Sequence, residues 1–279
     1  MKIAFLGPEA SFTSLAAGQV FPTDELIPKY SIRDCFLAVK NGECEKAVVP
    51  LENSIEGTVS MTLDYLYDFK GIFIETEIVM PISHQLMVHP QHHDFVKILS
   101  HPQALAQCFH FLEENYRGIP RQDYHSTSAS AKYISEHPEE KTAAIANHYA
   151  AKLYGLKILN ENIQDFEQNH TKFIVISLAN NQLKLGFEKK SEKTSLLITL
   201  PEDHAGGLHQ VLSVFAWRKM NLSKIESRTL KKNLGNYFFF INVASEWDPI
   251  HSVNAVEELK SIGAEVDFLG HYDEYLLNG

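Results

Sequence analysis

Hydroxyl and amide side chains recur at five places where a short apolar run gives way to polar residues. These are Ser11 with Thr13, Glu52-Asn53-Ser54, Ser100-His101-Pro102-Gln103, Ser126-Thr127-Ser128 and Asn169-His170-Thr171-Lys172. Taken singly, each reads as an N-cap or a turn, because Ser, Thr and Asn satisfy the orphan N–H groups at the start of a helix. Gathered in one sheet, the same residues would converge on a single cleft and offer N–H, O–H and amide donors to a ligand carrying carboxylates. Familiar catalytic patterns are missing from the sequence: there is no G-x-G-x-x-G, no Walker A loop, no G-x-S-x-G and no H-E-x-x-H. The 14 histidines include His92-His93, but adjacent side chains do not converge on a metal from a regular helix or strand. The balance favours a small-molecule protein that uses no metal and no organic cofactor.

The elements that must position these loops follow a strand, polar loop, helix rhythm. Lys2–Leu6 is a short apolar run that stops at Gly7-Pro8, and an apolar-periodic stretch follows Ser11. Ser31 caps a predicted helix carrying Cys35, Phe36 and Val39, a strand follows at Lys46–Pro50, and another helix runs near Val59–Leu66. Gly71–Pro81, Gln85–His89 and Val96–Leu99 read as strands. One helix is predicted to carry Ala104, Leu105, Cys108 and Phe111, and another spans Ala129–Ser135. Thr142–Ala146 is a strand before a helix through Leu153, and Phe173–Leu178 is a further strand. The pattern is that of a parallel or mixed sheet flanked by helices, an α/β class. Ligands of such sheets lie beyond the carboxyl ends of the strands, facing helix N-termini.

Around residues 180–193 the composition turns polar and charged, and 181–193 reads as a linker. Beyond it come strand Ser195–Leu200, helix Leu208–Lys219, strands Leu222–Leu230 and Tyr237–Ala244 joined by a Lys-Lys-Asn-Leu-Gly-Asn turn, helix Val253–Ile262 and strand Ala264–Gly270. That is β-α-β-β-α-β, a ferredoxin-like unit.

Bulk properties agree. With 279 residues, and about 150 per domain, two domains are expected. Hydrophobic residues at 44% and charged residues at 22% are ordinary for a globular chain. A net charge of −10 argues against a nucleic-acid surface or a basic membrane-binding patch, so an anionic ligand must be held by local donors. Cys35, Cys44 and Cys108 have neither C-x-x-C nor zinc-finger spacing and suit a reducing compartment. The N-terminal apolar run, Ile3–Leu6, is too short for a signal peptide, and no window approaches a membrane span. The expected location is the cytoplasm.

These loops also carry a resemblance. Gly7-Pro8-Glu9-Ala10-Ser11-Phe12-Thr13 resembles the G-P-x-G-x-[FY]-[ST] opening of prephenate dehydratases, and Pro50-Leu51-Glu52-Asn53-Ser54-Ile55-Glu56-Gly57 their P-[IL]-E-N-S-x-x-G segment. Ser100-His101-Pro102-Gln103-Ala104-Leu105-Ala106-Gln107-Cys108 resembles S-H-P-Q-[AP]-x-x-Q-C, Ser126-Thr127-Ser128-Ala129 resembles S-T-[AS]-x-A, and Asn169-His170-Thr171-Lys172-Phe173 is similar to N-x-T-R-F. Gly206-Gly207-Leu208 and Glu226-Ser227-Arg228 resemble the G-A-L and E-S-R-P motifs of the family's ACT regulatory domain. Several positions depart from the pattern. Ala10 replaces a glycine, so its turn must avoid positive φ or accept strain. Lys172 replaces an arginine, giving a point charge instead of a fork. Gly207 and Thr229 replace the alanine of G-A-L and the proline after E-S-R.

The resemblance implies a two-lobed, periplasmic-binding-protein-like catalytic region over 1–180, with a second lobe at about 76–160, a linker at 181–193 and an ACT domain over 194–279. It implies conversion of prephenate to phenylpyruvate, water and carbon dioxide, inhibited by L-phenylalanine, in a homodimer or homotetramer. Thr171 would donate to the departing ring hydroxyl, helped by Asn53 and by the cation of Lys172. Ser11, Thr13, Gln107, Ser126, Thr127, Ser128 and Phe173 would contact substrate. Gly206, Gly207, Leu208, Glu226, Ser227 and Arg228 would hold phenylalanine. The competing expectations are the same chemistry on arogenate and a non-catalytic binding protein with an amino-acid-sensing module.

Overall fold

A computed structural model describes residues 1–201, 205–229, 237–244 and 249–277. The chain opens with β1 (Lys2–Leu6), α1 (Phe12–Val20), β2 (Glu25–Lys29), α2 (Ile32–Lys40), β3 (Lys46–Asn53), β4 (Gly57–Thr58), α3 (Ser60–Asp68) and β5 (Phe73–Pro81). A second run comprises β6 (Gln85–Val88), β7 (Lys97–Ser100), α4 (Pro102–Gln107), α5 (Phe109–Asn115), β8 (Arg121–Asp123), α6 (Thr127–Glu136), β9 (Thr142–Ala146), α7 (His148–Leu153) and β10 (Lys157–Asn160). The chain returns through β11 (His170–Ser177). It ends with β12 (Glu188–Thr199), α8 (Gly207–Trp217), β13 (Leu222–Thr229), β14 (Tyr237–Val243), α9 (Pro249–Ser261) and β15 (Glu265–Leu276).

Two sheets result. A five-stranded sheet has the order β10-β6-β9-β7-β8, and a ten-stranded one the order β13-β14-β12-β15-β5-β11-β3-β1-β2, with β4 paired to β3. The smaller sheet is therefore inserted between β5 and β11, which are antiparallel neighbours in the larger sheet. Two connections, 82–84 and 161–169, join the lobes. They are bonded to each other, since Ile82 N donates to Asn169 O at 2.8 Å and Ile163 N to His84 O at 2.9 Å. The expected two-lobed α/β region is present, although residues 76–81, read as part of the second lobe, belong to β5 of the larger sheet.

Strand β11 sets the faces. Ile174 and Ile176 pack with Phe36, Leu63 and Val49 under α2 and α3. Phe173 and Val175 pack with Ala16, Ala17 and Val48 under α1. With helices on both sides, β3 is buried over Ala47–Val49 and β11 over Phe173–Ile176, which is why those stretches run apolar instead of alternating.

Several elements differ from their sequence expectations. β11 begins at His170, so most of the segment read as a polar turn is strand, its polar side chains accommodated at the cleft and domain contacts. The helix after Ser100 breaks at Cys108, whose φ of −112° and ψ of 19° separate α4 from α5. β2, β8 and β10 lack a strong apolar pattern because each is an edge strand. Half of the predicted linker is strand as well: Glu188–Lys193 begin β12 and pair with the end of β15. Their charges persist because Lys193 is buried between Glu77 and Glu274, at 2.7 and 2.6 Å. The turn predicted over 231–236, with Leu230, lies outside the described residues.

The C-terminal strand order β13-β14-β12-β15 is that of a ferredoxin-like unit. Its last strand runs on beyond the predicted end and pairs in parallel with β5, from Asp273 opposite Thr76 to Leu276 opposite Val79. Gly270 makes that junction possible. Its φ is +143°, and a Cβ there would collide with the Ile74 carbonyl oxygen. Gly270→Ala is expected to lower stability by about 3 kcal/mol, read as a fall in the denaturant midpoint.

Candidate active site

The interlobe cavity, about 470 Å³, is lined by the ends of β1, β3 and β11 on one side and by the starts of α4 and α6 on the other. Of the residues predicted to meet a ligand, it brings together Ser11, Thr13, Asn53, Gln107, Ser126, Thr127, Thr171 and Phe173. Each has a local reason for its position. Ser11 caps α1, its Oγ accepting from Ser14 N and donating to Leu6 O, both at 3.1 Å. Ser126 caps α6 through Ala129 N at 3.0 Å. Thr171 and Phe173 share one face of β11, the period of two placing both toward the cavity.

The same period turns Lys172 away. Its ammonium does not line the cavity; it lies 3.4 Å from Glu52 on the other face of the sheet. Glu52 also receives Lys224 of β13 at 3.0 Å. Burial would raise the Glu52 pKa, but the Lys224 hydrogen bond and the Lys172 charge outweigh it and hold the carboxyl below its ordinary value. Ser128 is likewise displaced from the ligand role expected of it: its Oγ donates to the Glu9 carbonyl across the lobes, because α6 buries that turn.

Nearby, Asn147 Nδ2 donates to the Ala10 carbonyl at 2.8 Å. Ala10 has φ +60° and is fully buried, so this turn accepts left-handed strain instead of avoiding it. Contacts from the second lobe hold it there.

Amide groups organise the cavity floor. Asn53 Oδ1 accepts from the backbone N–H groups of Ile55 and Glu56, at 3.0 and 3.1 Å. Its Nδ2 must then face acceptors, and it meets Asn169 Oδ1 at 2.9 Å, Thr171 Oγ1 at 2.9 Å and His170 O at 3.3 Å. Asn169 Nδ2 passes the same polarity to Gln107 Oε1 at 3.1 Å. Motif spelling included Asn169 but gave it no role, since only the fold brings it to Gln107. Phe12, Thr58, His84, His101 and Gln103 also line the cavity and were not among the predicted ligand contacts. His101 and Gln103 belong to one of the polar turns and Phe12 lies between Ser11 and Thr13, whereas Thr58 and His84 lie outside all five.

The six predicted effector residues separate. Gly206, Gly207 and Leu208 begin α8 and line a cavity of about 390 Å³ with Leu200, His209, Leu212 and Phe239. Glu226 and Arg228 face the two-lobed part instead. Thr58 Oγ1 donates to Glu226 at 3.1 Å, and Arg228 binds Asp64 at 3.0 Å and Ser60 at 2.9 Å. Ser227 lies on the opposite, exposed face of β13, as alternation requires.

A two-lobed α/β module with a donor-lined cleft, carrying a ferredoxin-like unit on the same sheet, defines a small-molecule-binding α/β protein. The chain belongs to the prephenate dehydratase family: the family model described as "Prephenate dehydratase" matches residues 3–181. It is 42% identical to the prephenate dehydratase of Bacillus subtilis (strain 168), covering 99% of this chain and all of that one. It is also 42% identical to the enzyme of Lactococcus lactis subsp. lactis (strain IL1403), over 99% of each. A crystal structure of prephenate dehydratase from Arthrobacter aurescens in complex with L-Phe matches with a TM-score of 0.85 at 33% identity, over 98% of this chain and 89% of that one. The activity is accordingly that of a carbon–oxygen lyase acting on prephenate.

Asn53→Asp tests the amide polarity. The new oxygen would face three acceptors and draw the Thr171 hydroxyl proton toward itself. Turnover is expected to fall at least about 100-fold while circular dichroism shows a folded protein.

Proposed function

We propose that the interlobe cavity seats prephenate and that Thr171 assists departure of its ring hydroxyl. In the overall change one ring C–O bond and one ring carbon–carboxylate bond break, and the released electron pair completes the aromatic ring. The hydroxyl leaves as water after gaining one proton, and the carboxylate leaves as carbon dioxide. The protein's task is to hold two carboxylates and to favour negative charge developing on one oxygen.

The observation that carries this reading is the hydrogen bond from Asn53 Nδ2 to Thr171 Oγ1, at 2.9 Å. With its oxygen accepting there, the Thr171 hydroxyl can present its proton to the ligand. Threonine is a very weak acid, so the role that fits it is a hydrogen bond that strengthens in the transition state, with solvent the final proton source. Lys172 has no part in that step; its position beside Glu52 and Lys224 supports a structural role between β11 and β13. Thr13, Gln107, Ser126 and Thr127 supply donors to the carboxylates, Ser11, its proton given to Leu6 O, shapes the turn beside them, and Phe173 forms the apolar wall.

L-phenylalanine, held by the Arthrobacter relative, fits the smaller cavity at α8 here. Backbone N–H groups at Gly206–Leu208 suit its carboxylate, and Leu200, Leu212 and Phe239 suit its ring. The proposed division is catalytic 1–180 and ACT 194–279, working as a cytoplasmic homodimer or homotetramer. Exposed Trp217, Ile225 and Leu208 support assembly through the C-terminal unit.

Phenylpyruvate production from prephenate, with and without phenylalanine, tests both halves. Thr171→Val is expected to lower kcat by about 100- to 10,000-fold, with Thr171→Ser retaining most activity; an active Thr171→Val enzyme removes the residue from the mechanism. Phenylalanine is expected to suppress wild-type turnover, and Leu212→Asp to abolish that suppression while leaving basal turnover intact.

A further inference from the structure

His84 lies on the first of the two interlobe connections and is 3% exposed. Its backbone is tied to the other connection, its N–H donating to Gln164 Oε1 and its carbonyl accepting from Ile163 N, each at 2.9 Å. Its ring packs edge-on against Phe12, with centroids 5.7 Å apart. His84 Nε2 is 3.0 Å from Gln107 Oε1. Burial lowers its pKa, so the ring is neutral at pH 7 and carries one proton.

The amide chain decides where that proton sits. Two backbone amides orient Asn53, Asn53 orients Asn169, and Asn169 Nδ2 requires an acceptor at Gln107 Oε1. The His84 nitrogen facing that oxygen must therefore be the donor, which makes Nε2–H the tautomer. A flipped Gln107 would set its NH₂ against two donors, Asn169 Nδ2 and His84 Nε2–H. Gln107 Nε2 is thus turned the other way, and it has no protein partner among the described residues although Gln107 is buried. A buried amide donor without a partner, on a side chain that lines the cavity, is a donor awaiting a ligand oxygen.

We propose that His84 is a positioning residue for the dehydration, its Nε2–H locking Gln107 so that the amide nitrogen is presented to the substrate. The lock closes across the lobes, because His84 belongs to the connection, Asn169 to the return connection and Gln107 to α4 of the second lobe. This role rests on the reading that prephenate occupies the interlobe cavity.

Steady-state dehydration of prephenate by His84→Leu, His84→Gln and Gln107→Leu tests it. His84→Leu removes the donor and is expected to lower kcat/KM about 10- to 100-fold, the span of one lost hydrogen bond to a charged group. Glutamine reaches the imidazole Nε2 position with an amide N–H, so His84→Gln is expected to stay within about threefold of the wild type. Combining His84→Leu with Gln107→Leu is expected to be no slower than Gln107→Leu alone, since both act through one contact. Equal losses in the two His84 variants, or additive losses in the double variant, would reduce His84 to packing and overturn the proposal. An unchanged kcat/KM in Gln107→Leu would instead overturn the placement of substrate. If His84→Leu does not fold, ¹⁵N NMR of the histidine-labelled wild type decides: Nε2–H with an unprotonated Nδ1 at pH 7 is expected, and an Nδ1–H tautomer, which leaves Nε2 without a proton, overturns the lock.

Discussion

Two backbone N–H groups, those of Ile55 and Glu56, hold one side-chain oxygen, Asn53 Oδ1. The amide network on the cleft floor takes its direction from that contact. An amide has one accepting end and one donating end, so fixing the first end of a chain of amides fixes the rest. Asn53 therefore donates to Asn169 and to Thr171, and Asn169 donates to Gln107. This network leaves two donors of its own, the Thr171 hydroxyl and the Gln107 amide nitrogen. For an anionic substrate approaching a chain of net charge −10, preset donors in a shielded cavity replace the attraction that the overall field withholds.

The scaffold supports this polarity by giving each participant a different element. Asn53 ends β3, Asn169 and Thr171 flank the start of β11, and Gln107 sits on α4 in the other lobe. Across the lobes, Ser128 holds the Glu9 carbonyl and Asn147 the carbonyl of strained Ala10. The strain at Ala10 persists because those contacts over-determine the turn.

The C-terminal unit shares the catalytic sheet instead of hanging from a linker. β15 lies against β5, and buried Lys193 joins Glu77 to Glu274 across that seam. Burial raises the Glu77 pKa, and the Lys193 charge opposes the rise. Breaking such a pair would strand a charge in the interior, so the seam resists sliding. A second tie runs from Lys224 and Arg228 on β13 to Glu52 and Asp64. Glu52 is one residue from Asn53, and Lys172 is one residue from Thr171. β13 is thus joined through Glu52 and Lys172 to the chain neighbours of both Asn53 and Thr171.

Element type, the α/β class, the βαββαβ order and the identity of the polar loops were legible in the sequence, because hydrophobic period and capping residues are local signals. So was the gathering of Asn53, Thr171, Gln107 and the serines that cap α1 and α6 around one cavity. What a side chain faces is not a local property. Lys172 follows Thr171 in the chain yet lies behind the sheet, since β11 begins three residues earlier than its apolar run and successive side chains alternate. Glu226 and Arg228 share a motif with Ser227 yet brace another part of the molecule, because β13 packs there. Residues 188–193 look like linker in composition but form strand, since their charges find partners on β5 and β15. The lines of the chemistry came from residue types and spacing; the direction of every donor, and the union of two domains on one sheet, came from long-range pairing that only the tertiary structure decides.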